Sequence, residues 1–525
     1  MLLDNYSLYT LIAFFLLCSA AAIYFSRGKI TSLDYFLANR NYPWYIVGFI
    51  AFLSNASNNS IFSFSSRTSF LGLVAFNAEL TGIIACVVLS LVFGRIYQKN
   101  NFYTTSQFIE ARFNPTASYI TSLLLIFMCI ASRISAILIC ASAMINYFFG
   151  FDMYTTSIVM IIFCGVYSIV GGQRTIIMTG IFMGFFVLTG TLLLTFFVST
   201  HYSPGTTVYP NDYFKLLRPY SSEEQFSWIG VLVALPILGV WYHCINQMLV
   251  QNFLSSKNEQ HFQAGALFHG YLKLLLFPMA VLPGIMAFQL CNNSTELLLY
   301  PTLIHTYVPV AWQGLIISGI MGAAMIALSA SFNACSTLFT FDFYKKLYPN
   351  ATDFVLMNIG KIATILIAII SMIWMVLLKA MYENVSQMIT SALSYFTPPL
   401  VAVYLLGILW KRATPKAAVW TLAIGFIIGI TKFSIAIPSV DFWGGNETMI
   451  FISKFGRYNF TVLFFFFTLA LMIGLSYLEP AQPIEKIKPY LLRYNWPKAD
   501  AFQKRIYVAA ILLVGIISGI YGVWH

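Results

Sequence analysis

Long apolar segments follow one another along almost the whole chain, and they constrain its fold more than any other feature. Of the 525 residues, 59% are hydrophobic and only 9% are charged, whereas soluble globular proteins contain roughly 25% charged residues. A helix needs about 20 mostly apolar residues to cross a bilayer. Such segments lie at 8–26, 45–69, 71–96, 117–148, 154–174, 176–200, 227–252, 262–290, 312–344, 353–381, 385–410, 416–437, 459–480 and 504–524. The sequence therefore predicts an all-α polytopic membrane protein with about fourteen transmembrane helices.

Basic residues in the connections predict the orientation. If the N-terminus lies outside, nineteen Lys and Arg residues fall in inward connections and five in outward ones. Because basic residues accumulate in cytoplasmic loops, both termini are expected to face outward. The first apolar segment has no basic region before it, so we interpret it as a retained helix rather than a signal peptide. The net charge of +11 then reflects topology, and no pattern indicates nucleic-acid binding.

The sequence gives no support to an enzyme. Its eight cysteines are scattered singly, as is typical of thiols that only pack. Zinc-type Cys spacing, an HExxH motif and a Walker-type GxxxxGK[ST] motif are all missing from the sequence. We therefore expect no enzymatic activity, no metal centre and no cofactor, with sodium left open.

The stretch SNASNNS, residues 54–60, puts seven small or polar residues inside the second apolar segment. In hydrocarbon, irregular backbone is tolerated only where it lines a cavity or is buried in protein. Many secondary transporters build their sites from helices that are broken at the bilayer midplane. The alternative is that these side chains hydrogen-bond neighbouring helices as packing contacts. We interpret the stretch as a break in the helix.

Three ionisable residues lie inside predicted transmembrane helices: Glu79, Arg133 and Lys273. Ionisable side chains at such depth are costly and usually face a site or a partner. Glu79 is expected to face a site, whereas Lys273 either belongs to the site or ties helices together. Arg133 either neutralises Glu79 or clamps a solute carboxylate with two hydrogen bonds.

Several motifs resemble the sodium/solute symporter family. Its amino-terminal signature is similar to LDYFLANRNYPWYIVGFIAFLSNASNNS, and its inward loop is similar to YTTSQFIEARFNP. Four later family segments are similar, in the expected order, to VYSIVGGQRTIIMTGIFMGFF, HGYLKLLLFPMAVLPGIMAF, ALSASFNACSTLFTFDFYKKLYP and PPLVAVYLLGILWKRATPKAAVWTL. The resemblance covers roughly residues 33–425.

This resemblance implies a fold of the leucine-transporter type, with two five-helix inverted repeats around a central solute site. The implied divisions are a first helix and inward loop at 1–44, the first repeat at 45–200, an outward loop at 201–226, the second repeat at 227–437 and C-terminal helices at 438–525. In such a fold the first helix of each repeat is broken. The second break falls at GVWYHCINQ, with Asn246 as a structural or binding residue and Tyr242 as an aromatic gate.

The family's two sodium sites are degenerate in this chain. The matching positions are Leu53, Ala56, Ala323, Ile326, Ala327, Ser329 and Gly180. Ile326 and Ala327 replace two hydroxyl side chains and Gly180 replaces an aspartate, whereas Ser329 keeps its hydroxyl. Sodium needs several oxygen ligands to replace its hydration shell, so these losses should weaken both sites. We therefore do not expect the sodium coupling that the family name implies.

Two branches of the family bear on the solute. The sugar cotransporter branch would place polar side chains at Ser60, Gly239 and Thr390, of which Gly239 has none. The chain keeps three further residues of that branch: Glu79, Tyr242 and Lys273.

The sialic acid transporter branch is similar in another respect. Counting without gaps places Arg133 where that branch has a carboxylate-clamping arginine, and Ser57, Asn58 and Ser60 where it has hydroxyl residues. Glu79 stands in place of a neutral amide and would repel an anion if it were ionised. Asn55 is a structural or binding residue beside them.

The function predicted is secondary transport of a small polar organic solute, a sugar or an acidic sugar such as sialic acid, by alternating access. The alternatives are a proton-coupled transporter that uses Glu79, an uncoupled facilitator and a membrane sensor that does not transport. The expected partners are the solute and membrane lipid, and the chain is expected to be a monomer. The family and the lack of targeting signals indicate a bacterial inner membrane.

Overall fold

A computed structural model describes residues 5–27, 31–205, 208–219, 226–290, 297–381, 385–435, 456–494 and 500–524. The longer helices are α1 (Asn5–Phe25), α2 (Trp44–Asn55), α3 (Asn58–Leu71), α4 (Leu73–Lys99), α5 (Pro115–Phe149), α6 (Met153–Ser199), α7 (Gly230–Ile245), α8 (Gln247–Leu254), α9 (Glu259–Leu290), α10 (Val310–Leu347), α11 (Asp353–Met381), α12 (Val385–Leu409), α13 (Pro415–Ile435), α14 (Arg457–Tyr477) and α15 (Ala501–Val523). Short helices in the connections are Ser32–Leu37, Ala38–Arg40, Thr105–Arg112, Leu299–Tyr307, Ile484–Ile487, Lys488–Tyr490 and Leu492–Tyr494.

The described residues form a multi-pass membrane protein. Eleven of its helices are long and apolar enough to cross a bilayer, and the bent pair of α7 and α8 makes a twelfth span. The predicted total of fourteen also counts α2 with α3 as one crossing and divides α6 into two. The total of fourteen, the orientation of the termini and the repeat boundaries stay predictions.

The long helix α6 has an internal break at Gly172. This residue has φ 55° and ψ −152°, a combination that is open to glycine and strained for other residues. A Cβ atom at this position would also overlap the carbonyl oxygen of Tyr35. The break separates the two apolar segments that the sequence predicts here, at 154–174 and 176–200.

Both predicted interruptions are breaks in helices. Between α2 and α3, Ala56 has ψ 49° and Ser57 has ψ 165°, so the helical hydrogen-bond ladder stops there. Between α7 and α8, Asn246 has ψ 115°, and the two axes meet at 46°. These two features confirm that SNASNNS and GVWYHCINQ interrupt helices.

The broken helices lie at the centre of the bundle. Helix α2 packs against α9, α8 and α10, and α7 packs against α4. Helices α6 and α10 pack along each other on one side of this group. The polar breaks are therefore enclosed by protein, as irregular backbone in a membrane must be.

Candidate functional site

A cavity of about 230 Å³ lies beside the break between α2 and α3. Its walls come from both broken helices and from α4, α5, α9, α12 and α14. The predicted site residues that line it are Asn55, Ser60, Glu79, Arg133, Tyr242, Lys273 and Gly239. The structure therefore brings together polar residues that are far apart in the sequence.

Glu79 of α4 and Lys273 of α9 form an ion pair at the wall of this cavity. The Lys273 side chain is 1% exposed and the Glu79 side chain 7% exposed. Breaking a buried pair of this kind by removing one partner leaves an uncompensated charge. Lys273 therefore links α9 to α4 and also lines the cavity, so both roles considered for it are present in the structure.

Asn55 connects this pair to the aromatic wall. Its Oδ1 accepts a hydrogen bond from Lys273 Nζ at 2.9 Å, and its Nδ2 donates to the Tyr242 hydroxyl at 3.4 Å. Asn55 is the last residue of α2, so the end of this half-helix is anchored to both α9 and α7. These two hydrogen bonds give Asn55 a structural role at the end of α2.

Arg133 lies across the cavity and is not paired with Glu79. Its Nη2 donates to the backbone carbonyl of Ser54 at 2.5 Å, and its guanidinium lies 5.8 Å from the centroid of the Tyr242 ring. The Ser60 hydroxyl likewise donates to the Asn55 carbonyl at 2.8 Å. The Arg133 side chain therefore satisfies a carbonyl in the last turn of α2. The Ser60 hydroxyl adds a second hydrogen bond to the Asn55 carbonyl, which also accepts from the Ser57 backbone N–H at 2.8 Å.

Other predicted site residues lie outside the cavity wall. Ser57 faces the Ser60 hydroxyl at 3.4 Å, and Asn58 donates from Nδ2 to the Ile137 carbonyl at 3.0 Å. The Asn246 Oδ1 accepts from the Met248 backbone N–H at 3.2 Å and so caps α8. Thr390 belongs to α12, but its side chain lies outside the described residues.

The cavity also has lining residues that the sequence reasoning missed. They are Asn59, Ser63, Arg67, His243, Arg457, Tyr458 and Ser394. Asn59, Ser63 and Arg67 follow one another at helical spacing in α3, and residues four apart share a face. The polar content of IFSFSSR just after the break was the signal that could have identified Ser63 and Arg67.

Apolar side chains surround the positions that match the family's sodium sites. Leu53, Ala56, Ala323, Ile326 and Ala327 are all buried in one hydrophobic core cluster. A Cβ atom at Gly180 would lie 3.0 Å from Ile50 Cδ1 and 3.9 Å from Ile326 Cγ1. The Ser329 hydroxyl is buried and has no hydrogen-bond partner among the described residues. Weak sodium binding stays a prediction, and the apolar packing at these positions supports it.

Replacing Asn58 by alanine should lower stability and leave solute affinity within about twofold. The lost hydrogen bond to the Ile137 carbonyl is buried, and such losses typically cost about 1–3 kcal/mol. Thermal unfolding and ligand titration of the purified variant measure the two effects, with Ser60→Ala as the matched cavity variant. A large loss of affinity in Asn58→Ala would show that its side chain reaches the solute after all.

A helical membrane bundle with two broken helices that meet at a polar cavity is typical of secondary transporters. The model of the sodium:solute symporter family matches residues 35–425. The chain belongs to this family. Its relatives are transporters, so it is a transporter-family protein and not an enzyme.

Several curated relatives are sodium/glucose cotransporters. The chain is 28% identical to sodium/glucose cotransporter 1 of Ovis aries, over 94% of this chain and 81% of the relative. It is also 28% identical to the Oryctolagus cuniculus protein of the same name, over 80% of this chain and 71% of the relative.

Two solved structures share the fold. A Na⁺-coupled sialic acid symporter in a substrate-bound outward-open state has a TM-score of 0.77 at 18% identity, over 91% of this chain and 99% of that one. Mhp1, a nucleobase-cation-symport-1 family transporter, has a TM-score of 0.53 at 11% identity, over 87% and 97% of the two chains. These similarities support the leucine-transporter type of fold that the sequence motifs imply.

Proposed function

We propose that this protein moves a small polar solute with a carboxylate group, an acidic sugar such as sialic acid, by alternating access and without sodium. The observation that carries the proposal is the charge of the central cavity. Sequence reasoning placed Glu79 in this cavity as a group that would repel an anion. Because Lys273 neutralises Glu79 in the structure, that objection no longer applies.

The remaining charged groups in the cavity wall favour an anion. Arg67, Arg133 and Arg457 line the cavity, and Glu79 is the one carboxylate among its described lining residues. Charges of one sign in a cleft with low-dielectric walls focus the field and raise the local concentration of the opposite ion. An acidic solute therefore gains an electrostatic attraction to Arg133 that a neutral sugar lacks.

Arg133 is the residue that we expect to bind the solute carboxylate. Its Nε has no hydrogen-bond partner among the described residues. A guanidinium edge matches the two oxygens of a carboxylate, and such charged hydrogen bonds are stronger than neutral ones. Asn59, Ser60 and Ser63 supply nearby amide and hydroxyl groups for the hydroxyls of a sugar.

For the solute to leave inward, the cavity must open toward the inner face of the membrane. A chain of buried side chains runs from the break to the packed helices α6 and α10. Asn333 donates to Gln173 at 2.8 Å, Gln173 to Asn252 at 2.9 Å, and Asn252 to the Ser54 hydroxyl at 3.5 Å. We expect these contacts to separate when the solute leaves inward.

Sodium independence rests on the side chains around the family's ion positions. Ile326, Ala327 and Gly180 offer no side-chain oxygen, and Ile50 and Ile326 approach the place where an aspartate would stand. A hard cation takes oxygen ligands, so these residues give it little to replace its water. In a proton-coupled cycle, the ion pair between Lys273 and Glu79 would have to break so that Glu79 could bind a proton. Transport driven by a pH gradient across the membrane would indicate such coupling.

Thermal unfolding of the purified protein tests the proposal. A ligand that binds only the folded state raises Tm by mass action. We expect N-acetylneuraminate to raise Tm equally in sodium and in choline buffer, and glucose to leave it unchanged. Stabilisation by N-acetylneuraminate only in sodium would overturn sodium independence. Stabilisation by glucose but not by the acid would overturn the choice of an acidic solute.

A further inference from the structure

Behind the solute cavity, Cys86 of α4, His243 of α7 and His269 of α9 meet in a buried cluster. The thiol sulphur and one nitrogen of each ring lie within 4.8 Å of one another. The proposed solute binding uses neither Cys86 nor His269. We propose that this cluster is a metal-binding site, and that the ion it fits best is Zn²⁺.

The two histidines are buried with most of their polar atoms unpaired. His243 is 3% exposed and His269 is fully buried, and their ring centroids are 5.7 Å apart. Nε2 of His243 and both ring nitrogens of His269 have no hydrogen-bond partner among the described residues. Leaving a buried polar atom unsatisfied is unfavourable. A metal ion coordinated by these nitrogens would remove much of that cost.

The orientation of His243 is already that of a metal ligand. Its Nδ1 lies 3.0 Å from the carbonyl oxygen of Gly239. A carbonyl only accepts hydrogen bonds, so Nδ1 carries the proton and Nε2 keeps its lone pair. Histidines that bind metals typically donate the other N–H to a carbonyl or carboxylate, which fixes the tautomer.

The ligand types and their spacing suit zinc. One thiolate and two imidazoles form a ligand set that Zn²⁺ accepts, with a fourth position open to water or another ligand. Because the three atoms lie within 4.8 Å of one another, an ion between them would be at most about 2.8 Å from each, compared with Zn²⁺ bond lengths of about 2.0–2.3 Å. Small side-chain rotations would close this difference. His243 also lines the cavity, which gives the ion a route from solvent.

The charges near the cluster allow a cation. The Lys273 ammonium and the His243 ring both lie close to Gly82. A Cβ atom added to Gly82 would be 3.1 Å from Lys273 Nζ and 2.9 Å from His243 Cε1. This ammonium is balanced by Glu79, and deprotonation of the Cys86 thiol on metal binding supplies a further negative charge. Zinc would therefore hold together α4, α7 and α9, three helices that carry the cavity wall.

Zinc titration of the chelator-treated full-length protein tests the site, with Tm as the measurement. We expect Zn²⁺ to raise Tm saturably. Loss of a hydrogen bond that supports a metal ligand typically weakens metal binding by roughly 10–100-fold. Loss of a ligand itself, in Cys86→Ser or His269→Gln, should weaken zinc binding by at least that factor. Cys164→Ser, which removes a different buried thiol, should respond like the wild type. Equal zinc responses in Cys86→Ser and the wild type would overturn the proposal, because surface groups would then account for binding.

Cobalt substitution keeps the test decisive even if a variant fails to fold. Co²⁺ bound to a thiolate gives a sulphur-to-metal charge-transfer absorption that nitrogen and oxygen ligands do not. The wild-type protein should show this band, titrating to one equivalent, and Zn²⁺ should displace it. Absence of the band in the folded wild-type protein would contradict the site. This result does not depend on which solute, if any, the protein carries.

Discussion

Replacing Lys273 by methionine should destabilise the folded protein by about 3–5 kcal/mol, the usual cost of breaking a buried ion pair on one side. The variant leaves the Glu79 carboxylate without its counter-ion in a buried position, since the Glu79 and Lys273 side chains are 7% and 1% exposed. It also removes the donor to Asn55 Oδ1. Unfolding of the detergent-solubilised protein by denaturant measures the change in free energy.

The double variant Lys273→Met with Glu79→Gln separates charge from packing. It removes both charges, so it should recover most of the lost stability. Lys215→Met provides a matched control, because Lys215 pairs with Asp212 at 2.7 Å and both side chains are about half exposed. Exposed pairs contribute little to stability, so this variant should unfold like the wild type. A single Lys273→Met variant as stable as the wild type would show that Glu79 has another source of compensation.

Replacing Arg133 by glutamine should weaken binding of an acidic sugar by about 30-fold or more, because truncating one side of a buried charged pair costs roughly 2–5 kcal/mol. Arg133→Lys should recover only part of this affinity, since an ammonium keeps the charge but not the planar pair of donors. Titration calorimetry of the purified variants measures the dissociation constants.

The methyl ester of the same sugar is the matched ligand for this variant. It keeps the shape and hydroxyls of the acid but lacks the negative charge. We expect the wild type and Arg133→Gln to bind the ester with similar affinity. If Arg133→Gln bound the acid as tightly as the wild type does, the carboxylate would have to lie against another group, and Arg67 and Arg457 would be the next candidates.

Features that depend on local sequence were predictable. SNASNNS places three asparagines where hydrocarbon would surround a continuous helix, and unsatisfied backbone is not tolerated there. The break at GVWYHCINQ was located through the family resemblance and is confirmed by the ψ of 115° at Asn246. The apolar pattern likewise predicted the helices, because each crossing needs its own run of about 20 residues.

Features that depend on which helices meet could not be predicted. Glu79 had two possible cationic partners in the sequence, and only packing of α4 against α9 selects Lys273 over Arg133. Asn58 was predicted to bind the solute, but its side chain donates to the Ile137 carbonyl. Asn246 was predicted as a structural or binding residue, and its side chain caps α8. Arg457 was counted only as a charge in an outward connection, yet it lines the cavity.

The central claim is that the cavity between the broken helices carries an acidic solute across the membrane without sodium. Counterflow of labelled N-acetylneuraminate into proteoliposomes tests it most directly, with unlabelled solute inside and choline replacing sodium on both sides. The account predicts transient accumulation of label at the same rate with and without sodium, and strong reduction in Arg133→Gln. Accumulation that appears only in sodium would contradict sodium independence, and solute binding without any accumulation would show a sensor instead of a transporter.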